Sequence, residues 1–171
     1  ECAPSTICTA TAGNHGRGVA WAANKLMQKA VGHMPKGSSK PRYDNIAKEG
    51  AAVTIEEVNY DDCVRMAAAE AAQTEHGVIV QDTAWEGYEE IPSWIMQGYG
   101  TMASEAAEQL RQLGVNRPSP VFVQAGVGSL AGAVVGPFTN LVPTKPPKPI
   151  VLEAPAAHRP HRRAHAGHGT T

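Results

Sequence analysis

The sequence predicts an α/β fold, a three-layer αβα arrangement with mostly parallel sheets, and three observations carry that prediction. Between residues 5 and 142, short apolar runs alternate with stretches of helical periodicity, the order that repeated strand–helix units produce. Two glycine-rich loops each follow an apolar run and open a helical one. The chain has 171 residues, 42% of them hydrophobic, enough for one good core or two small ones.

The elements follow in order. "STICTA" (5–10) reads as a strand, after which Val19, Ala22, Ala23, Leu26, Met27 and Ala30 recur on one face of a helix. "AVGHM" (30–34) is a brief strand ended by Pro35, residues 38–48 are helical, and "AAVTI" (51–55) is a further strand. Asn59 suits an N-cap, with Asp61 and Asp62 in the first turn where the helix dipole favours acids. That helix turns Val64, Ala67, Ala68, Ala71 and Ala72 inward and stops near Gly77. "GVIVQ" (77–81) is a strand, and a polar, aromatic-rich loop fills 82–92. From Ser93 a long helix buries Ile95, Met96, Tyr99, Met102, Ala103, Ala106 and Leu110, and Gly114 ends it. "SPVFVQ" (119–124) is a strand, "AGVGSLAGAVVG" (125–136) turns into a helix, and "PIVLEA" (149–154) is a last strand. Beyond Pro155 the chain is His, Arg, Ala and Gly with nothing to bury, and is expected to be disordered. The expected division is 1–85, 86–154 and a tail, 155–171.

Composition excludes several classes of function. Lys plus Arg number 15 against 16 Asp plus Glu, so there is no basic surplus for nucleic acid or an anionic membrane. No apolar run is long enough to span a bilayer. Cys2, Cys8 and Cys63 lack metal spacing and read as reduced thiols, cytosolic or organellar, and a cytoplasmic location is expected. The tail histidines 158, 161, 165 and 168 lack fixed geometry and an acid or thiol partner, so no metal site is assigned. The chain starts on Glu1 with no initiating Met and reads as a piece of something longer.

Both glycine loops belong at the carboxyl ends of strands, the edge where open α/β sheets bind ligands. Unpaired amides at a helix start are electropositive, and glycines let an anion approach them. "QAGVGS" (124–129) therefore suits a phosphate, with Ser129 adding a hydroxyl, although a tight strand-to-helix turn has the same composition. "AGNHGRG" matches neither GxGxxG nor the mononucleotide P-loop. Its Asn14 can donate to an oxygen on an aromatic ring, whereas His15 and Arg17 read as structural or solvent-facing. Two such loops without a dinucleotide fingerprint suggest one flat cofactor with one phosphate, and pyridoxal phosphate has that shape.

The longer motifs "TATAGNHGRGVAWAA", "MPKGSS", "NYDD", "VQDTAWEGYEEIPSWIMQGYGTMASEA" and "QAGVGSLAG" resemble the diaminopropionate ammonia-lyase family of fold type II pyridoxal-phosphate enzymes, tryptophan synthase β-like in fold. The resemblance runs from Thr9 to Gly136. It implies elimination of ammonia from 2,3-diaminopropionate to give pyruvate, by an enzyme that is a homodimer when complete. It also implies cofactor contacts from Asn14 to the ring's phenolic oxygen and from Gly126, Val127, Gly128 and Ser129 to its phosphate. Asp82 is placed in the substrate pocket, where a carboxylate can hold the substrate's second ammonium.

Two departures shape the reading. Ala12 stands where the family has the aspartate that takes the proton of the D-isomer. The family's Schiff-base lysine lies well upstream of the GNHG motif, and none of Lys25, Lys29, Lys36, Lys40, Lys48, Lys145 or Lys148 has the matching context. The chain alone is therefore expected to be inactive. A non-catalytic, truncated or degenerate fragment is one alternative; a serine or threonine dehydratase-like or racemase-like enzyme is another.

Overall fold

The computed structural model describes residues 4–126, 128–141 and 146–153. Val127, Lys145 and the expected tail, 155–171, lie outside the described residues. The chain divides between Gln81 and Asp82 into two compact units.

The first unit holds β1 (Thr6–Ala10), α1 (Asn14–Lys25), β2 (Lys29–Met34), α2 (Lys40–Ala47), β3 (Ala52–Ile55), α3 (Tyr60–Gln73) and β4 (Gly77–Ile79). Its four strands are all parallel, in the order β3-β2-β1-β4. Strand alternation divides the core between the two faces of this sheet. Cys8 and Ala10 pack with Cys63, Ala67 and Ala71 of α3 on one side, and Val31 joins them. On the other side Met34 and Val53 pack with Ala20 of α1 and Ile46 of α2. Helices thus cover both faces, as a parallel sheet requires.

The second unit holds α4 (Glu90–Gln112), β5 (Pro120–Ala125), α5 (Ser129–Leu141) and β6 (Lys148–Glu153). β5 and β6 form a two-stranded parallel sheet, paired from Pro120↔Lys148 to Ala125↔Glu153. Ala103 of α4, Val123 and Ala125 of β5, and Ala131, Val134 and Phe138 of α5 make one core. Phe122 and Leu152 stay exposed. Among the described residues no helix is long and apolar enough to cross a membrane.

Several boundaries differ from those the sequence suggests. Leu26, Met27 and Ala30 do not extend the buried face of α1: Leu26 and Met27 are exposed, and Ala30 belongs to β2. The chain reverses there because Gln28 N donates to Ala23 O (2.8 Å) and Met27 N to Asn24 O (3.0 Å), with Met27 left-handed at φ 55°. These two bonds form a Schellman closure without a glycine. Cys63 takes the inward place expected for Ala72, which is exposed, because Cys63, Ala67 and Ala71 recur every four residues. The long helix begins at Glu90 rather than Ser93, since Pro92 sits in its first turn, where no amide is needed. Met102 of that helix is exposed rather than inward.

Candidate functional site

Thr11 shapes the first glycine loop. Its Oγ1 accepts from Gly13 N (3.0 Å) and Gly16 N (2.9 Å), so a buried side chain supplies the acceptor that the start of α1 lacks. A Cβ at Gly16 would lie 2.3 Å from Thr11 Cγ2, so only glycine admits this approach. Arg42 closes the loop from outside, its Nη1 donating to Ala12 O at 3.2 Å. Asn14 is the first residue of α1, exposed, and lines a recess with Ala12, Gly13 and Arg42. The helical ladder begins only with Arg17 N to Gly13 O, so the amides of Asn14 and His15 precede it. His15 turns its Nε2 to Thr9 Oγ1 and Val80 O, both at 3.0 Å, while exposed Arg17 pairs with Glu49.

Gln81 is the residue that sequence reasoning passed over. Read as a strand residue, it instead lies beyond β4 with its side chain fully buried. Oε1 accepts from Ala10 N (3.0 Å) and Thr9 Oγ1 (3.2 Å), and Nε2 donates to Tyr60 Oη (2.6 Å). Its amide thus continues the β1 ladder after the backbone of β4 has turned away. A glutamine closing an apolar strand was the available signal.

In the second unit Asp82 meets two partners. Tyr99 Oη donates to Asp82 Oδ2 at 3.2 Å, and Ser129 Oγ donates to the Asp82 carbonyl oxygen at 2.6 Å. Ser129 opens α5, directly after Gly128. Gly128 has φ 106°, and a Cβ at Gly126 or Gly128 would meet no atom of the other described residues within 4 Å. Among the described residues Gly132 N to Gly128 O is the first bond of α5, so the amides of Ser129, Leu130 and Ala131 precede it. Val127 of the same loop lies outside the described residues. The structure therefore joins Asp82 to Ser129, while Asn14 belongs to the first unit.

Next to Asp82, the Thr83 Oγ1 is buried without a partner among the described residues. Beyond it Trp85 and Tyr88 stack at 4.2 Å across a tight turn in which Gly87 takes φ 82°, and Trp94 is exposed. The lysines are elsewhere: Lys29 and Lys148 begin β2 and β6, at the amino ends of those strands. Lys36 and Lys40 pair with Glu57 and Asp44, and Lys25 lies over the Trp21 ring. No group of His, Cys, Asp and Glu among the described residues could hold a metal ion.

Two strand–loop–helix turns on parallel sheets, with open glycines at one of them, define an α/β ligand-binding protein, and comparison with known proteins gives its family. The chain belongs to the pyridoxal-phosphate dependent enzymes, whose family model matches residues 1–171. A diaminopropionate ammonia-lyase of Salmonella typhimurium is 57% identical over 145 residues, 85% of this chain but 36% of that protein. A crystal structure of Escherichia coli diaminopropionate ammonia lyase in complex with D-serine superposes with a TM-score of 0.91 at 48% identity, covering 98% of this chain and 42% of that one. A processed threonine deaminase from Solanum lycopersicum matches at TM-score 0.71 and 26% identity, over 95% of this chain and 43% of its own. The chain thus spans little more than a third of the relative from Salmonella.

Proposed function

We propose that the chain is part of a pyridoxal-phosphate-dependent lyase that eliminates ammonia from 2,3-diaminopropionate to give pyruvate. The observation that carries this reading is the junction of Asp82 with Ser129: the residue whose carboxylate suits a substrate ammonium is tied, through its main-chain carbonyl, to the end of a loop suited to a phosphate. The residues fit the cofactor. Among the described residues, open space at Gly126 and Gly128 and the amides ahead of the first α5 bond make an anion cradle, to which Val127 belongs by sequence. With the Ser129 hydroxyl directed at Asp82, the backbone amides are the donors left for a phosphate. Exposed Asn14 would meet the ring oxygen. When bound, pyridoxal phosphate supplies a ring that draws electrons from the substrate's Cα. Asp82 holds the second ammonium, orienting the amine that departs, and its neighbours fix its place.

On this reading the first unit is most of a small α/β domain, within residues 1–85, and residues 86–154 are part of a larger cofactor-binding one. The complete enzyme is a homodimer, as the sequence resemblance implies, and cytoplasmic, in keeping with cysteines read as reduced thiols. The 171-residue chain alone is inactive, because none of its lysines has the sequence context of the family's Schiff-base lysine.

The test is a graft in which this chain replaces the matching segment of the Salmonella relative. The graft should release pyruvate and ammonia from diaminopropionate, and the isolated chain should release none. A folded graft that binds pyridoxal phosphate yet leaves diaminopropionate intact, or prefers a hydroxy amino acid, overturns the proposed activity. Ammonia release by the isolated chain overturns its inactivity.

A further inference from the structure

Asp82 is the one acidic side chain of the QDTAW segment, and its two carboxylate oxygens are not equivalent. Oδ2 receives the Tyr99 phenol, whereas Oδ1 has no partner among the described residues. The backbone of the same residue is pinned independently, through its carbonyl, by Ser129. With its main chain pinned at the carbonyl and one carboxylate oxygen held by Tyr99, the side chain has fewer rotamers open to it, and the remaining acceptor is directed accordingly. Both anchors come from the second unit, Tyr99 from α4 and Ser129 from the start of α5.

We infer that Tyr99 is a positioning residue for substrate discrimination: by holding Oδ2 of Asp82 it presents Oδ1 to the ammonium that distinguishes a diamino acid from a hydroxy amino acid. This rests on the reading of Asp82 given above. Tyr99 need not touch the substrate; it acts through the carboxylate. A hydroxyl in place of the ammonium can still donate to that oxygen, but it carries no charge and so lacks the ion-pair attraction that the ammonium adds. The direction of Oδ1 therefore affects the diamino substrate selectively.

The experiment compares four proteins: the parent graft, Tyr99→Phe, Asp82→Asn and the double substitution. For each, kcat and KM are measured with L-2,3-diaminopropionate and with L-serine, and pyridoxal phosphate affinity is followed by absorbance. Tyr99→Phe should lower the ratio of kcat/KM for L-diaminopropionate over L-serine by roughly tenfold, the size of one lost hydrogen bond to a charged group, chiefly through KM. Cofactor affinity and the L-serine values should stay put. In the Asp82→Asn background the same substitution should change nothing further. Equal losses on both substrates, or a full additive effect on top of Asp82→Asn, overturn the role of Tyr99. If Asp82→Asn lowers the ratio and Tyr99→Phe does not, only Tyr99 is reassigned; if Asp82→Asn leaves the ratio unchanged, the reading of Asp82 fails with it. Should Tyr99→Phe not fold, Tyr99→Leu, which also lacks the donor, takes its place in the cycle.

Discussion

Single residues account for the sharpest features of the molecule. Thr83 buries a hydroxyl oxygen with no partner among the described residues, and an unsatisfied buried polar atom costs about 1–3 kcal/mol. Thr83→Val keeps the shape and removes that cost, so the isolated chain should gain about 1 kcal/mol, read from its denaturant midpoint; a loss of stability would reveal a hydrogen bond there. Ala12 offers its carbonyl to Arg42 and no carboxylate to a substrate. The graft should therefore be slow on D-diaminopropionate and should recover activity with Ala12→Asp, measured as the ratio of D- to L-isomer rates. Equal D/L ratios in the two variants would show that the proton is taken elsewhere. At this scale the sequence was informative where a residue acts locally. Asn59 caps α3 by accepting from Asp62 N at 2.9 Å, as its place before two aspartates suggests. Gln81 was not legible, because its partners Thr9 and Ala10 lie more than seventy residues away in the chain.

Elements were read well in kind and less well at their ends, since an apolar period says nothing about how a helix stops. The end of α1 shows why. Leu26 and Met27 continue its apolar spacing, yet Met27 turns left-handed at φ 55° and 89% of it is exposed. A left-handed L-residue costs about 1–2 kcal/mol, and a glycine's extra unfolded-state freedom costs about 0.5–1 kcal/mol, so the strain wins. Met27→Gly should stabilise the first unit by about 0.5–1 kcal/mol in chemical denaturation; destabilisation would mean the exposed side chain is held in a contact. Where β2, β3 and α3 come together, His33 places Nδ1 3.0 Å from Glu56 and Nε2 2.6 Å from Glu70. The Thr54 hydroxyl, and then His33, hold the Glu56 carboxyl below its ordinary value of 4.5. A carboxyl depressed by folding stabilises the fold above that ordinary value, and the contribution vanishes as pH falls through the lowered one. Thr54→Val should therefore lose stability less steeply than the parent on acidification below 4.5, in urea midpoints recorded against pH. Parallel curves would remove the Thr54–Glu56 bond from the account.

Across the whole molecule, the class was legible and the strand order was not. Alternating strands and helices imply a parallel sheet, but nothing local specifies that β1 lies between β2 and β4. That order follows from which faces bury Cys8, Ala10, Met34 and Val53 together with three different helices. The candidate site was legible in the same uneven way: its loops announce themselves by glycine, whereas the Tyr99–Asp82–Ser129 linkage depends on how α4 and α5 pack. The cysteine distribution has a practical consequence. All three cysteines precede Gln81, and the two among the described residues, Cys8 of β1 and Cys63 of α3, are completely buried between the sheet and α3. Burial foremost, then the charge of Glu70, pushes the Cys8 thiol up to about 11, and burial raises Cys63 as well. Both should resist alkylation at neutral pH until the sheet separates from α3, a result that peptide mass spectrometry resolves site by site; rapid labelling of the native chain would contradict this packing. The second unit carries no thiol at all. Alkylation kinetics would thus clock the opening of one half of the polypeptide while remaining blind to the other, a one-sided reporter already written into the native sequence.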